Sequence, residues 1–369
     1  MTTWPVAVDL FAGCGGLTTG VRKGGFRVAA AVELDEVSAA TYRANHKRTK
    51  LIVEDIREVS GEAIREALDG ATPDLVMGCA PCQGFCSLTR KNRRADPRNE
   101  LLLEMARLVA ELLPTAVMME NVPGLVTRGR AIFDSFVASL REAGYYPTWD
   151  IVQLANYGVP QSRRRLVLLA GRGFAIPIPP ATHARVPATK SKLLPWATVR
   201  EVIGGRKAPM RFSKARKLDD GPRAADWHVV RDLQDQTRAR LRAAQAGGTW
   251  LDYDEEIRPE CHRDGYEGFR NVYGRMAWAN AAPTITGGCT TPAKGRFGHP
   301  DRRRVSTISV REAALLQSFP EDYSFDTDRM DAVCEMIGNA VPPLFAAAAA
   351  RVIRERIAAH RAALKRAPA

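Results

Sequence analysis

Cys82 is the residue best placed for nucleophilic chemistry. It lies in Gly78-Cys79-Ala80-Pro81-Cys82-Gln83-Gly84-Phe85-Cys86-Ser87, just after the apolar run Leu75 to Met77, where open α/β sheets build their sites beyond a strand's carboxyl end. Pro81 stiffens the backbone ahead of the thiol. The next apolar run, Ala116 to Met119, delivers Glu120-Asn121-Val122-Pro123-Gly124 to the same edge. A thiol and a carboxyl group on neighbouring strand ends can add to an electron-poor centre and manage the accompanying proton. Free cysteines are most often inert and buried; the carboxyl group beside this one argues against that fate. Cys79, Cys82 and Cys86 also raise the question of zinc, but Cys261, His262 and Cys289 offer no second pair at ligand spacing, and no metal is expected.

A second constellation opens the chain. Asp9-Leu10-Phe11-Ala12-Gly13-Cys14-Gly15-Gly16-Leu17 is a glycine-rich turn between an apolar run and a helix beginning near Leu17. Glycines let the backbone approach a ligand, and the helix start offers unpaired N–H groups to a carboxylate or phosphate. Glu33 follows the second apolar run, where the acid of a Rossmann-type fold bonds ribose hydroxyls. Asp55 follows the third, in reach of an adenine amino group. Gly13, Gly15 and Gly16 are followed next by Gly20, which is not Gly-x-Gly-x-x-Gly and leans toward a ligand without a pyrophosphate.

The elements that must hold these groups are short buried strands alternating with amphipathic helices. Val6 to Leu10, Val28 to Val32, Leu51 to Val53, Leu75 to Met77, Ala116 to Met119 and Leu166 to Ala170 read as strands. Leu101, Leu102, Met105, Leu108, Val109 and Leu112 recur at helical spacing until Pro114. The fold class is therefore α/β, a doubly wound, mainly parallel sheet. The pattern fails after Gly173, where Pro177, Pro179, Pro180 and Pro187 begin a loop-rich second domain. It resumes at Arg311, and an Ala/Arg-rich helix from Pro343 to about Leu364 returns to the first domain. The expected division is 1–175, 176–310 and 311–369.

With 369 residues, 45% of them hydrophobic, the chain can bury the cores of about two domains. The net charge of +13 favours a polyanionic partner. Seven cysteines, an odd number, argue against a disulfide framework. The start Met1-Thr2-Thr3-Trp4-Pro5 has no basic export region, and apolar segments are soon broken by Arg, Asp, Gly or Pro. A cytoplasmic protein with no membrane role is the expectation.

Gly13 to Leu17, Pro81-Cys82-Gln83, Glu120-Asn121-Val122, Gln161-Ser162-Arg163-Arg164-Arg165, Arg311-Glu312 with Leu316-Gln317-Ser318-Phe319-Pro320, and Gly338-Asn339-Ala340-Val341-Pro342-Pro343 resemble, in order, the motif series of bacterial cytosine-5 DNA methyltransferases. The likeness spans nearly the whole chain. It departs at Ala80, where the family usually has Pro, and at Cys86, where it usually has Ser.

The resemblance implies a Rossmann-like methyltransferase fold and methyl transfer from S-adenosylmethionine to carbon 5 of a cytosine flipped out of duplex DNA. Cys82 would add to carbon 6, Glu120 would act as the acid at ring nitrogen 3, Asn121 would orient its loop, and Arg163 and Arg165 would hold the base and phosphate or lower the thiol pKa. The cofactor would lie against Phe11, Gly13, Gly15, Gly16, Leu17, Glu33, Asp55, Ile56 and Pro81, with Asn339, Ala340 and Val341 closing over it. The basic loop from Gln83 to Asn99 would close on DNA. The 176–310 region would be the target-recognition domain. Expected partners are double-stranded DNA and a cognate restriction endonuclease, with the enzyme a monomer. Two rivals stand beside this reading: a transfer-RNA cytosine-5 methyltransferase of the same fold and a non-catalytic DNA-binding protein.

Overall fold

The computed structural model describes residues 4–81, 100–263, 265 and 268–366. Cys82, Cys86 and the loop expected to close on DNA lie outside them. The chain divides into two compact units: one of residues 1–157, 164–181 and 341–369, the other of residues 158–163 and 182–340.

The first unit is built on a seven-stranded sheet: β1 (Val6–Leu10), β2 (Arg27–Val32), β3 (Lys50–Ile52), β4 (Leu75–Gly78), β5 (Ala116–Asn121), β6 (Tyr145–Gln153) and β7 (Arg164–Arg172), in the order β3-β2-β1-β4-β5-β7-β6. β3, β2, β1, β4 and β5 are parallel, whereas β7 is antiparallel to both β5 and β6. The central parallel strands β1, β4 and β5 are buried and mostly apolar, as strands covered on both faces are, with Asp9 the polar exception within β1. The helices are α1 (Gly16–Lys23), α2 (Glu36–Asn45), α3 (Gly61–Ala67), α4 (Leu101–Leu112) and α5 (Arg130–Glu142). Leu102, Met105, Leu108 and Val109 of α4 are fully buried, in one core with Val76, Val117, Phe133 and Phe136.

The C-terminal helix, Pro343–Arg366, packs on α1. Pro343 suits a first helical position, where its missing N–H costs nothing. The contact is close because Gly20 and Gly24 carry no side chain: a β carbon on Gly20 would stand 2.4 Å from Ala346 Cβ, and one on Gly24 2.3 Å from Ala350 Cβ. By length and composition alone the stretch Met330–Arg366 passes as a candidate membrane span, although it carries charged residues and no uncharged apolar run of spanning length. Yet 67% of its apolar window is buried, as in a core helix.

The second unit is made of short pieces. Its helices are α6 (Val199–Ile203), α7 (Phe212–Ala215), α8 (Asp235–Ala243), α9 (Val310–Leu316) and α10 (Met330–Asn339), with two pairs of two-residue strands, His183–Ala184 with Leu194–Pro195 and Met210–Arg211 with Val229–Val230. Residues 311–340 belong to this unit, whereas the sequence reading grouped them with the C-terminal helix. The cause is packing: α9 lies against α6 and α10, and buried Arg311 bonds Asp226 O at 3.0 Å and Asp226 Oδ1 at 2.5 Å.

Candidate active site

Parallel register brings the carboxyl ends of β1, β2, β4 and β5 to one edge: Leu10 pairs with Val32 and Gly78, and Gly78 with Met119. β7 runs the other way, so its first residues, Arg164 and Arg165, reach the same edge as the end of β5. Three chain segments therefore converge here: Cys79-Ala80-Pro81 after β4, Glu120-Asn121 on β5, and Arg165 on β7.

Glu120 is the centre of the group and only 2% exposed. The Cys79 thiol donates to its Oε2 at 3.0 Å. Arg165 Nε stands 3.0 Å from its Oε1, an ion pair in which the arginine side chain is 14% exposed. That N–H is not aligned for a hydrogen bond, and Oε1 accepts none from the described residues. Asn121 ties the two strand ends together, its Nδ2 donating to Ala80 O at 3.1 Å while its Oδ1 accepts from Val122 N at 2.7 Å. The segment that leads into Cys82 is thus fixed to the strand that carries Glu120.

The glycine-rich turn lies over the start of α1. Gly13 and Gly15 have φ of +54° and +94°, a region that favours glycine. Phe11, at +58°, holds a left-handed conformation that costs a side chain energy and clusters at functional sites. Glu33 braces the turn: its Oε2 accepts from Gly13 N at 2.7 Å and its Oε1 from Asp35 N at 2.8 Å. Burial pushes the Glu33 carboxyl up, and those two N–H groups pull it back. No side chain among the described residues caps α1, so its first-turn N–H groups keep their capacity for an anionic ligand.

A family model for C-5 cytosine-specific DNA methylase matches residues 6–355. A type II methylase of Herpetosiphon aurantiacus is 39% identical over 341 residues, 91% of each chain. The chain belongs to the C-5 cytosine-specific DNA methylase family. A type II methyltransferase of Bacillus subtilis is 31% identical over 356 residues, covering 90% of this chain and 77% of that one. Among solved structures, an E. coli prophage protein described as a DNA modification methyltransferase superposes with a TM-score of 0.70 at 22% identity, over 95% of this chain and 99% of that one. That likeness supports the Rossmann-like fold.

The other residues expected to serve this methylase are divided between the two units. Asp55 is held by Arg57, whose N, Nε and Nη2 approach at 3.0, 2.9 and 2.5 Å; these hydrogen bonds lower its pKa to about 2. Ile56 is buried, Leu17 is buried in α1 and Pro81 is half-buried. Arg163 was expected at the base or phosphate. It belongs to the second unit, is 2% exposed, and spends Nη1 on Ile285 O at 2.9 Å and Nη2 on Gly338 O at 3.0 Å. Those bonds make it an internal clamp. Asn339 is exposed at the end of α10 and Ala340 O accepts from Gln317 Nε2 at 2.8 Å, both within the second unit; Val341 is buried at the start of the last segment of the first.

Two features escaped the sequence reading. One is the Cys79 bond to Glu120, although Cys79 stands only three residues before Cys82. The other is a buried polar network beneath the glycine turn. Thr18 Oγ1 donates to Asp9 Oδ2 at 2.6 Å and meets Tyr42 Oη at 2.9 Å. Asp9 is fully buried, its Oδ1 has no partner among the described residues, and burial raises its pKa to about 7. An aspartate inside the apolar run Val6 to Leu10 was the available signal.

Proposed function

We propose that this methylase uses S-adenosylmethionine as its methyl donor and acts on a cytosine extruded from duplex DNA, with Cys82 as nucleophile and Glu120 as the acid. The convergence of the Ala80-Pro81 segment, Glu120 and Arg165 at one sheet edge carries the reading.

The residues present fit the cofactor. The uncapped start of α1 suits its carboxylate, the Gly13 face is open to 4 Å, and Glu33 stands at the β2 end where ribose hydroxyls are bonded. When bound, it supplies an electrophilic methyl group on a sulfonium. The protein's task is to make carbon 5 of cytosine nucleophilic. The Cys82 thiolate adds to carbon 6, and the displaced ring electrons make carbon 5 enamine-like. Glu120 holds a proton at ring nitrogen 3, where charge grows as the thiolate adds. Its buried Oε1 has an acceptor position that no described residue fills, and Arg165 keeps the carboxyl group oriented. After transfer a base takes the proton from carbon 5, the electron pair re-forms the 5,6 double bond, and Cys82 leaves.

The basic second unit is the target-recognition element in this reading. Its Arg and Lys contact phosphates, and a few polar side chains read base edges. In this reading the enzyme works as a monomer beside a cognate restriction endonuclease.

Trapping tests the assignment. Wild type, incubated with S-adenosylmethionine and DNA containing 5-fluorocytosine, should give a denaturation-resistant adduct by mass, and Cys82→Ala should give none. An adduct on transfer RNA but not on DNA would transfer the function to RNA; an adduct with Cys82→Ala would move the nucleophile elsewhere.

A further inference from the structure

A cavity of about 850 Å³ opens at the other edge of the first unit's sheet, beside the start of β1 and β2. It is lined by Arg22, Arg27, Arg48, Arg354 and Arg361, with Asp74 the single carboxylate among its lining residues. Asp74 is already used. Its Oδ2 accepts from Val6 N at 2.7 Å and its Oδ1 pairs with Arg361. Arg22 is in contact with the His46 ring, Nη1 to Nδ1, at 3.4 Å. Arg27, Arg48 and Arg354 have no ion pair among the described residues, and their side chains are exposed to solvent.

Arg354 is seated by the backbone. Gly25 has φ +96°, a conformation that favours glycine, and the Arg354 guanidinium lies over it, Nη1 2.0 Å from where a β carbon would stand. Phe26, Val28 and Ile357 give the cavity an apolar wall, and the Trp4 indole, 60% exposed, stands on its rim.

Like charges gathered around one concavity focus a positive potential and draw an anion. Guanidinium groups match phosphate oxygens in pairs, and an exposed indole beside an apolar wall offers a stacking face to a base. The volume lies within the range of small-molecule sites. The five residues of β1 put roughly 16 Å between this edge and the Glu120 edge, so a base at Glu120 does not fill the cavity.

We propose that this cavity is a second, non-catalytic site for a nucleoside phosphate, with Arg27, Arg48 and Arg354 on the phosphates and Trp4 on the base. The phosphate belongs either to a free nucleotide or to the 5′ end of a single nucleic-acid strand.

The test uses the full chain with its donor site kept filled by saturating S-adenosylhomocysteine. Anisotropy of ATP carrying an N-methylanthraniloyl fluorophore is measured on wild type, Arg48→Gln/Arg354→Gln and Trp4→Ala. Saturable binding should weaken by about tenfold or more in the arginine variant, as expected for charge-assisted hydrogen bonds, with thermal midpoint and methyl transfer to DNA unchanged. Unlabelled ATP should compete better than adenosine or tripolyphosphate, and Trp4→Ala should erase its advantage over tripolyphosphate. Competition by a 5′-phosphorylated oligothymidylate assigns the ligand to a strand end, and its failure to compete assigns it to the free nucleotide. The proposal is overturned by an absence of saturable binding, by wild-type affinity in the arginine variant, or by tripolyphosphate competing as well as ATP.

Discussion

Arg165 Nε stands 3.0 Å from Glu120 Oε1, yet its N–H is not aligned on that oxygen, which keeps an acceptor position. The guanidinium supplies charge and orientation without using up the carboxyl group. Glu120→Gln keeps the shape and removes the carboxyl group proposed as the acid. It should lower the single-turnover rate of methyl transfer by about 10²–10⁴-fold and leave the Kd for the methyl donor unchanged. A rate within threefold of wild type would remove Glu120 from the chemistry.

The same pair sets a stability prediction. Removing one partner of a buried ion pair leaves an uncompensated charge and costs about 3 kcal/mol or more. Arg165→Ala should therefore lower the urea midpoint substantially. Arg165→Ala combined with Glu120→Gln should recover part of the loss, since the second change removes the stranded charge. Additive losses in this cycle would show that the two side chains do not interact.

Glu33 is predicted to act through the turn it braces. Glu33→Ala frees the N–H groups of Gly13 and Asp35 and removes the carboxylate proposed to accept from ribose hydroxyls, so the KM for the methyl donor should rise by about tenfold or more with little change in the rate at saturating donor. Glu33→Gln can accept with one oxygen only and should fall between. Steady-state kinetics at saturating DNA decide it; a loss confined to kcat would contradict a binding role.

Buried Asp9 makes stability depend on pH. Its carboxyl group titrates near 7 in the folded chain against a usual 3.8, so between those values the folded state binds more protons than the unfolded one. Its contribution is fully present below pH 3.8 and is lost as pH rises toward 7. Asp9→Asn removes that dependence. The stability of wild type relative to Asp9→Asn should fall by about 1.4 kcal/mol per pH unit between pH 4.5 and 6.5, and level off above 7. Glu33 is shifted in the same direction as Asp9, and His46 and His299 are lowered to about 4 by burial, which acts the opposite way. All three remain in both proteins, so the difference isolates Asp9. Urea titrations at four pH values measure it, and a constant difference would refute it.

The parallel strands were legible because burial on both faces requires apolar runs, and Val6 to Leu10 or Ala116 to Met119 can be nothing else in a chain with helices between them. β6 was not. It is an edge strand interrupted by Pro147 and Asp150 and half exposed, so its sequence lacks both an apolar run and alternation. Glu120 was legible because a strand end dictates where it points. The fate of Arg163 was not, since its bonds to Ile285 O and Gly338 O span 122 and 175 residues of sequence. Likewise, nothing local in Arg311 announces its bond to Asp226. The second unit's short helices and two-residue strands are held by such long-range polar contacts, which leave no periodicity to read.

The contact between α1 and the C-terminal helix gives the last prediction. Gly20 is in the middle of α1, where glycine costs about 0.5–1 kcal/mol relative to alanine, so propensity alone makes Gly20→Ala stabilising. Packing argues the reverse. The added methyl would meet Ala346 Cβ and Pro343 O, both at 2.4 Å, and neither is the end of a flexible side chain. Overpacking of this kind costs about 1–3 kcal/mol, so the net effect should be a lower thermal midpoint. Because α1 also carries the glycine-rich turn at its start, the helix can relieve the clash only by shifting that turn, and a raised KM for the methyl donor should accompany the lost stability. Ala346→Gly in the same chain should restore part of both. A Gly20→Ala protein as stable as wild type would mean that the two helices can separate freely, and that the turn over α1 does not depend on the C-terminal helix.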